Sequence, residues 1–205
     1  PMRFLERLGA HITWLPVDGG GRVDPDDLRR AIRPETLLVS LMHANNEIGT
    51  INDLGAISML CEEHGAYLHT DSVQTVGHFP INVNETKLSF MSGAAHKFHG
   101  PKGVGFIYIN NDNIIQPFID GGGQERNMRG GTENVYGIIG LAKALEMMLE
   151  NLDSESAHIR SLRDHLRQGL SDSVPGIEFN GDIDGASLYT VLSVSFPPSL
   201  KNDML

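Results

Sequence analysis

The sequence predicts an α/β fold built on a mostly parallel sheet. Short apolar runs alternate with helical patterns along the chain, and three of these runs are followed at once by polar or small residues. In an α/β protein the carboxyl ends of parallel strands meet at one edge of the sheet, where ligands bind. The segments 43–50, 71–74 and 92–97, which follow the three runs, therefore form the candidate site.

The beginning of the chain is predicted to contain two helices with a strand between them. Residues 2–8 have a helical pattern, and the β-branched and aromatic residues in 11–17 predict a short strand. Asp24 followed by Pro25 is typical of a helix start. Because the chain opens on Pro1 and enters a helix directly, we expect it to be an internal piece of a longer protein.

A βαβ unit is predicted next. The continuous apolar run 36–42 is typical of a buried parallel strand, and 53–64 has the apolar stripe of a helix that ends at Gly65. A second strand, 66–70, then leads to Asp71. The crossover of such a unit is expected to be right-handed.

The remaining elements suggest a large unit and the start of a smaller one. They are strands at 88–91, at 103–109 with 114–119 as partner, and at 188–196, with a helix from Asn134 and another through 158–170. We expect 1–150 to be part of a large domain and 151–205 to be an incomplete small α+β domain. The loop 121–134 is too rich in glycine for a core element and is predicted to be functional.

Composition excludes several classes of partner. The 205 residues carry a net charge of −10, which argues against a nucleic-acid surface. No apolar run is long enough to span a membrane, and no signal peptide is recognisable, so we expect a cytoplasmic protein. The single cysteine, Cys61, lies on a helical apolar stripe and is expected to be a core residue. The nine histidines show no spacing typical of metal ligands, so no metal is expected.

The residue types at the predicted edge indicate a cofactor. Asp71 ends one strand and Lys97 follows the next, so a carboxylate and an amine face one site. Pyridoxal phosphate requires this pair, because a lysine forms an imine with its aldehyde and a carboxylate keeps its ring nitrogen protonated.

Four segments resemble the signature segments of a known family. HANNEIG, HTDSVQ, AHKFHGPKGVG and GGGQERNMRGGTEN are similar, in order and spacing, to those of cysteine desulfurases and selenocysteine lyases, in class V of the aminotransferase superfamily. The resemblance implies the large domain of a pyridoxal-phosphate-dependent transferase of the aspartate aminotransferase type. It extends over 2–147 and more weakly to 196.

The resemblance also implies roles for individual residues. Lys97 matches the lysine that bonds the cofactor; the simpler alternative is a solvated surface lysine. Asp71 matches the partner of the cofactor's ring nitrogen; the simpler alternative is a helix N-cap. Gln74 and Asn46 match residues on the ring's phenolic oxygen, although Asn46 could equally serve a turn. His96 matches a histidine near the phosphate, where a structural role is as plausible.

The glycine-rich loop implies a dimer. Thr132 matches a threonine that, in the family, reaches the phosphate of the neighbouring subunit's cofactor. A homodimer is therefore the expected active unit.

Three departures from the family pattern are visible. Ala94 stands where the family commonly has a phosphate-binding serine, which leaves Ser92 as a possible substitute. Family members also have an upstream histidine that stacks on the cofactor ring, and these residues contain no match for it. They likewise contain no match for the family's downstream loop, which carries the nucleophilic cysteine, or for the arginine that follows it. Cys61 is not expected to replace that nucleophile.

These observations predict a cysteine desulfurase that converts L-cysteine to alanine and an enzyme persulfide, for iron–sulfur clusters or another sulfur-acceptor protein. One alternative is a selenocysteine lyase or another class V enzyme. A second is a non-catalytic fragment or dimerisation module with the same fold.

Overall fold

The computed structural model describes residues 1–113 and 115–198. Its centre is a four-stranded sheet with the strand order β1 (Leu38–Met42), β2 (Tyr67–Asp71), β3 (Phe90–Ala94) and β4 (Gly105–Ile109). The first three strands are parallel, and β4 is antiparallel to β3. The predicted mostly parallel sheet is confirmed.

The helices that flank β1 and β2 begin and end at the residues that local chemistry favours. In α2 (Pro25–Ala31) the Asp24 side chain accepts a hydrogen bond from the Asp26 amide, and in α3 (Leu54–His64) Asp53 caps the Ala56 amide in the same way. Gly65 ends α3 in the left-handed conformation, with φ of 68°, which glycine adopts at little cost. A short helix, α1 (Met2–Arg7), precedes them.

The core lies on one face of the sheet. Alternate side chains of the strands, including Val39, Leu68 and Met91, point into a cluster with Ile57 and Leu60 of α3. The opposite face of β1 is open, since Leu38 and Met42 are 41% and 40% exposed. The prediction of a strand buried on both faces is therefore wrong for β1, because only one of its faces packs against the described core.

One short and two long helices follow the four-stranded sheet in the described chain. After the one-turn α4 (Gln124–Asn127), α5 (Val135–Glu150) starts at the Asn134 cap and packs against the 3-10 turn Ala95–Phe98. The helix α6 (Leu152–Ser173) is longer than the predicted 158–170 and ends just before Pro175, as predicted. A two-stranded antiparallel sheet of β5 (Glu178–Phe179) and β6 (Val194–Ser195) completes the described chain.

Three predicted strands are absent or much shorter. Residues 11–17 and 115–119 are irregular, because neither finds a strand partner among the described residues, and Ile114 lies outside them. Of 188–196 only β6 is a strand. The start of 188–196 instead packs on the loop after β1: the Leu188 amide donates to the Gly49 carbonyl, and Tyr189 is 1% exposed.

Candidate functional site

The site lies at the edge of the sheet where β1, β2 and β3 have their carboxyl ends. In the strand register Met42 is opposite Asp71, and Asp71 is opposite Ser92. Beyond Ala94 the chain enters the 3-10 turn that carries His96 and Lys97. The fold thus brings Asp71 and Lys97 to one edge, as the sequence predicts.

Asp71 has two carboxylate oxygens, of which one stabilises the backbone. Oδ1 accepts a hydrogen bond of 3.0 Å from the Val73 amide and so stabilises the turn after β2. No helix of the described chain begins at this turn, so the helix-cap alternative is wrong for Asp71. The carboxylate is exposed and makes no ion pair with any described residue. Its second oxygen is therefore available to a cationic N–H group.

Lys97 is held through its backbone, while its amine has no partner among the described residues. The side chain is partly buried, and within the described ranges Nζ has neither a hydrogen bond nor an ion pair. The Lys97 carbonyl is 2.9 Å from Nε2 of His78. This contact constrains the backbone of Lys97, while its amine makes no contact that would hold it within the described ranges.

The two neighbouring asparagines in the loop after β1 have different hydrogen-bond partners. Asn45 Oδ1 accepts hydrogen bonds from the amides of Glu47 at 2.8 Å and Ile48 at 3.0 Å. The turn role proposed for Asn46 therefore belongs to Asn45. Asn46 is exposed and makes no side-chain hydrogen bond to a described residue, which leaves its amide available to a ligand.

Gln74, His96 and Thr132 also have unengaged side chains in the described part of the chain. Gln74 lies in the turn after β2 and is partly buried, whereas His96 is exposed beside Lys97. Thr132 is exposed in the glycine-rich loop, two residues before the Asn134 cap of α5, and no hydrogen bond ties it to the sheet edge. Its predicted role stays a prediction.

Ser92, the possible substitute for the family's phosphate serine, already has a partner. Its hydroxyl is 2.9 Å from Nε2 of His69, and Nδ1 of His69 is 2.8 Å from the Ser40 hydroxyl. These three side chains connect β1, β2 and β3 on the face opposite the core. Burial lowers the pKa of His69, although Asp71 opposes that shift.

Sequence reasoning missed a supporting histidine at this edge. Nδ1 of His43 is 2.9 Å from the Thr75 hydroxyl, and its amide donates to the Asp71 carbonyl. Burial lowers the pKa of His43, which favours the neutral ring. Its position directly after β1, as the first residue of HANNEIG, is the signal that could have identified it.

Cys61 is a core residue, as predicted. It is 2% exposed in the main cluster, and burial raises the pKa of its thiol to about 11.

We expect alkylation of Cys61 by iodoacetamide at pH 8 to be at least about 100-fold slower in the folded protein than in denaturant, because only about one folded thiol in a thousand is ionised. The rate should rise with pH. Equal rates in the folded and unfolded protein would contradict this assignment.

In 1–113 and 115–198 no group of three or more histidine, cysteine, aspartate or glutamate residues could hold a metal ion. Over the same residues, no helix has the length and apolarity needed to cross a lipid bilayer.

The comparisons with known proteins agree with this architecture. The family model "Aminotransferase class-V" matches residues 1–204. The cysteine desulfurase IscS of Dictyoglomus turgidum is 50% identical over 181 residues, which are 88% of this chain and 46% of that protein. A solved NifS-like protein superposes with a TM-score of 0.90 at 40% identity, covering 95% of this chain and 53% of its own.

A further solved structure contains an amino acid. SspA in complex with cysteine has a TM-score of 0.80 at 30% identity, covering 96% of this chain and 54% of SspA. The chain thus spans about half the length of the relatives that it matches. The sheet edge, the four signature segments and the family match together establish that the chain belongs to the class-V aminotransferase family.

Proposed function

We propose that these residues form the cofactor-binding part of a cysteine desulfurase. The observation that carries the proposal is that the Asp71 carboxylate and the Lys97 amine lie at the same carboxyl edge of the sheet. Among the described residues, only one oxygen of Asp71 has a partner, and the Lys97 amine has none. The similarity to proteins named cysteine desulfurase supports the activity, and the cysteine-bound SspA supports the substrate.

The residues present fit pyridoxal phosphate, the cofactor of this family. When bound, it supplies an aldehyde that bonds an amine and a ring that accepts electrons. Lys97 offers the amine, and the second oxygen of Asp71 can accept the N–H of the ring. The Ser72 hydroxyl beside Asp71 is fully buried without a partner among the described residues, a polar atom that a ligand could satisfy.

Each residue then has a task that its surroundings allow. The charge of Asp71 would favour a proton on the ring nitrogen of the bound cofactor, while the Val73 amide keeps the carboxylate oriented. The Lys97 amine takes a proton from the bound amino acid. Asn46 and Gln74 would offer amide hydrogens to the phenolic oxygen of the cofactor, and His96 would be the side chain for its phosphate. Because the Ala94 side chain has no hydroxyl, backbone amides would bind the phosphate at that position.

The proposed reaction transfers one sulfur atom. The C–S bond of L-cysteine breaks, alanine keeps the carbon skeleton, and the sulfur ends as the outer atom of a persulfide on a second thiol. Cys61 cannot be that thiol, because it is buried with a raised pKa. The thiol therefore belongs to another segment or to a sulfur-acceptor protein, from which iron–sulfur clusters are supplied. A single buried cysteine is compatible with the reducing cytoplasm.

A homodimer is part of the proposal. Large apolar side chains are exposed on both sides of the glycine-rich loop 121–134. Phe118, before the loop, is 98% exposed, and Tyr136 and Ile139, at the start of α5, are 90% and 62% exposed. Such a surface favours a protein partner, and a second copy would bring its Thr132 loop to this site. Sedimentation equilibrium tests this part: a monomer at every concentration would contradict it.

Turnover in the purified protein loaded with pyridoxal phosphate tests the activity. We expect L-cysteine and a thiol acceptor to yield alanine and persulfide in equal amounts. A strong preference for L-selenocysteine would favour the selenocysteine lyase alternative. The absence of alanine from both substrates would contradict the desulfurase assignment and favour the non-catalytic alternative.

A further inference from the structure

His78 connects the backbone of Lys97 to Tyr189, in the C-terminal unit that we define as the described residues 151–198. Nε2 of its ring is 2.9 Å from the Lys97 carbonyl, and Nδ1 is 2.8 Å from the Tyr189 hydroxyl. These two contacts join residues that are far apart in the sequence. No metal or catalytic role was predicted for this histidine.

The hydrogen-bond roles in this bridge follow from the groups involved. A carbonyl can only accept, so Nε2 carries a hydrogen and donates it to Lys97. In the neutral ring Nδ1 is then an acceptor, and the Tyr189 hydroxyl donates to it. Burial raises the pKa of Tyr189, with a further contribution from Glu155, so this hydroxyl keeps its proton.

The surroundings of the bridge leave it little freedom. Tyr189 is 1% exposed, its ring lies 5.7 Å from the Phe79 ring, and the Arg160 guanidinium lies 5.8 Å from its centre. On the other side Gly77, with φ of 81°, lies against Phe98 so closely that an added Cβ would come within 2.8 Å of the Phe98 Cβ. Tyr189 and Phe98 thus hold the segment of His78 from two directions.

We propose that His78 is a positioning residue for Lys97, and that through it the C-terminal unit controls where the Lys97 amine stands. The inference rests on the proposed function, because Lys97 needs this placement only if it bonds the cofactor. His78 itself touches no reacting atom. Its effect reaches the site through the Lys97 carbonyl.

Three variants of the purified protein separate this role from simple packing. Glutamine at position 78 can still place an N–H near the Lys97 carbonyl, whereas asparagine is one carbon too short. H78N should therefore weaken apparent affinity for pyridoxal phosphate by about 10-fold, the effect of one lost hydrogen bond, and H78Q by less than about 3-fold. Y189F, which removes only the hydroxyl, should lie between them. H64N is the matched control, since His64 also contacts a backbone carbonyl, that of Leu60, but far from Lys97.

The readouts are the fraction of Lys97 that borohydride fixes to the cofactor at limiting concentration and the visible circular dichroism of the bound cofactor. We expect H78N and Y189F to change both, and H64N to change neither. If the wild type forms the adduct, the proposed function stands, and the variants then test the inference alone. Wild-type-like values in H78N and Y189F would overturn the inference. So would losses in H78Q equal to those in H78N. No adduct in the wild type would overturn both.

Discussion

Replacing Lys97 with alanine is expected to lower alanine production from L-cysteine by at least about 10⁴-fold, because it removes the group that both bonds the cofactor and moves the proton. The fold should survive, since the Lys97 amine has no partner in the described structure. Turnover with saturating pyridoxal phosphate and the unfolding midpoint are the two measurements.

Lys102 supplies the matched control for this experiment. It lies in the same AHKFHGPKGVG segment, is exposed and has no ion pair with the described residues. Lys102→Ala should keep turnover within about 3-fold of the wild type, as is usual for an exposed side chain away from the chemistry. Similar losses in the two variants would show that the segment, rather than the Lys97 amine, is being tested.

The second large effect is expected from Asp71→Asn. Asparagine keeps an oxygen for the Val73 amide but loses the charge that holds the ring nitrogen protonated. We expect kcat to fall by at least about 100-fold, comparable with the loss of one electrostatic contact to a transition state, while KM changes by less than about 5-fold.

Asp53→Asn is the corresponding control. Asp53 also accepts a hydrogen bond from a backbone amide, that of Ala56 at 3.0 Å, but it caps α3 away from the site. Its replacement by asparagine, a good N-cap residue, should leave both kinetic constants nearly unchanged. If Asp71→Asn raised KM and lowered kcat to the same extent, the carboxylate would act in binding rather than on the ring nitrogen.

Local chemistry made a large part of the fold predictable. Helix starts at Asp24 and Asp53 and the helix end at Gly65 depend on the residue itself and its near neighbours. The polar turns that carry Asp71 and Lys97 were predictable from local sequence in the same way. Their meeting at one edge followed from the general rule that parallel strands of α/β proteins place their carboxyl ends together.

Strand pairing and distant contacts were not predictable in this way. Residues 11–17 have strand-forming side chains but pair with no described strand, and pairing depends on non-local contacts. Leu188 and Tyr189 suggested an alternating strand, yet both are buried. Leu188 contacts Gly49 in the loop after β1, and Tyr189 contacts His78. The bridge from His78 to Lys97 depends on two turns and a packed tyrosine, so no spacing in the sequence reveals it.

Lys97 is proposed to bond pyridoxal phosphate at the same edge of the sheet as Asp71. Borohydride reduction at saturating cofactor, followed by peptide mapping with mass spectrometry, tests it most directly. We predict one pyridoxyl group per chain, on the Lys97 amine. No adduct, or an adduct spread over surface lysines such as Lys102, would contradict the claim.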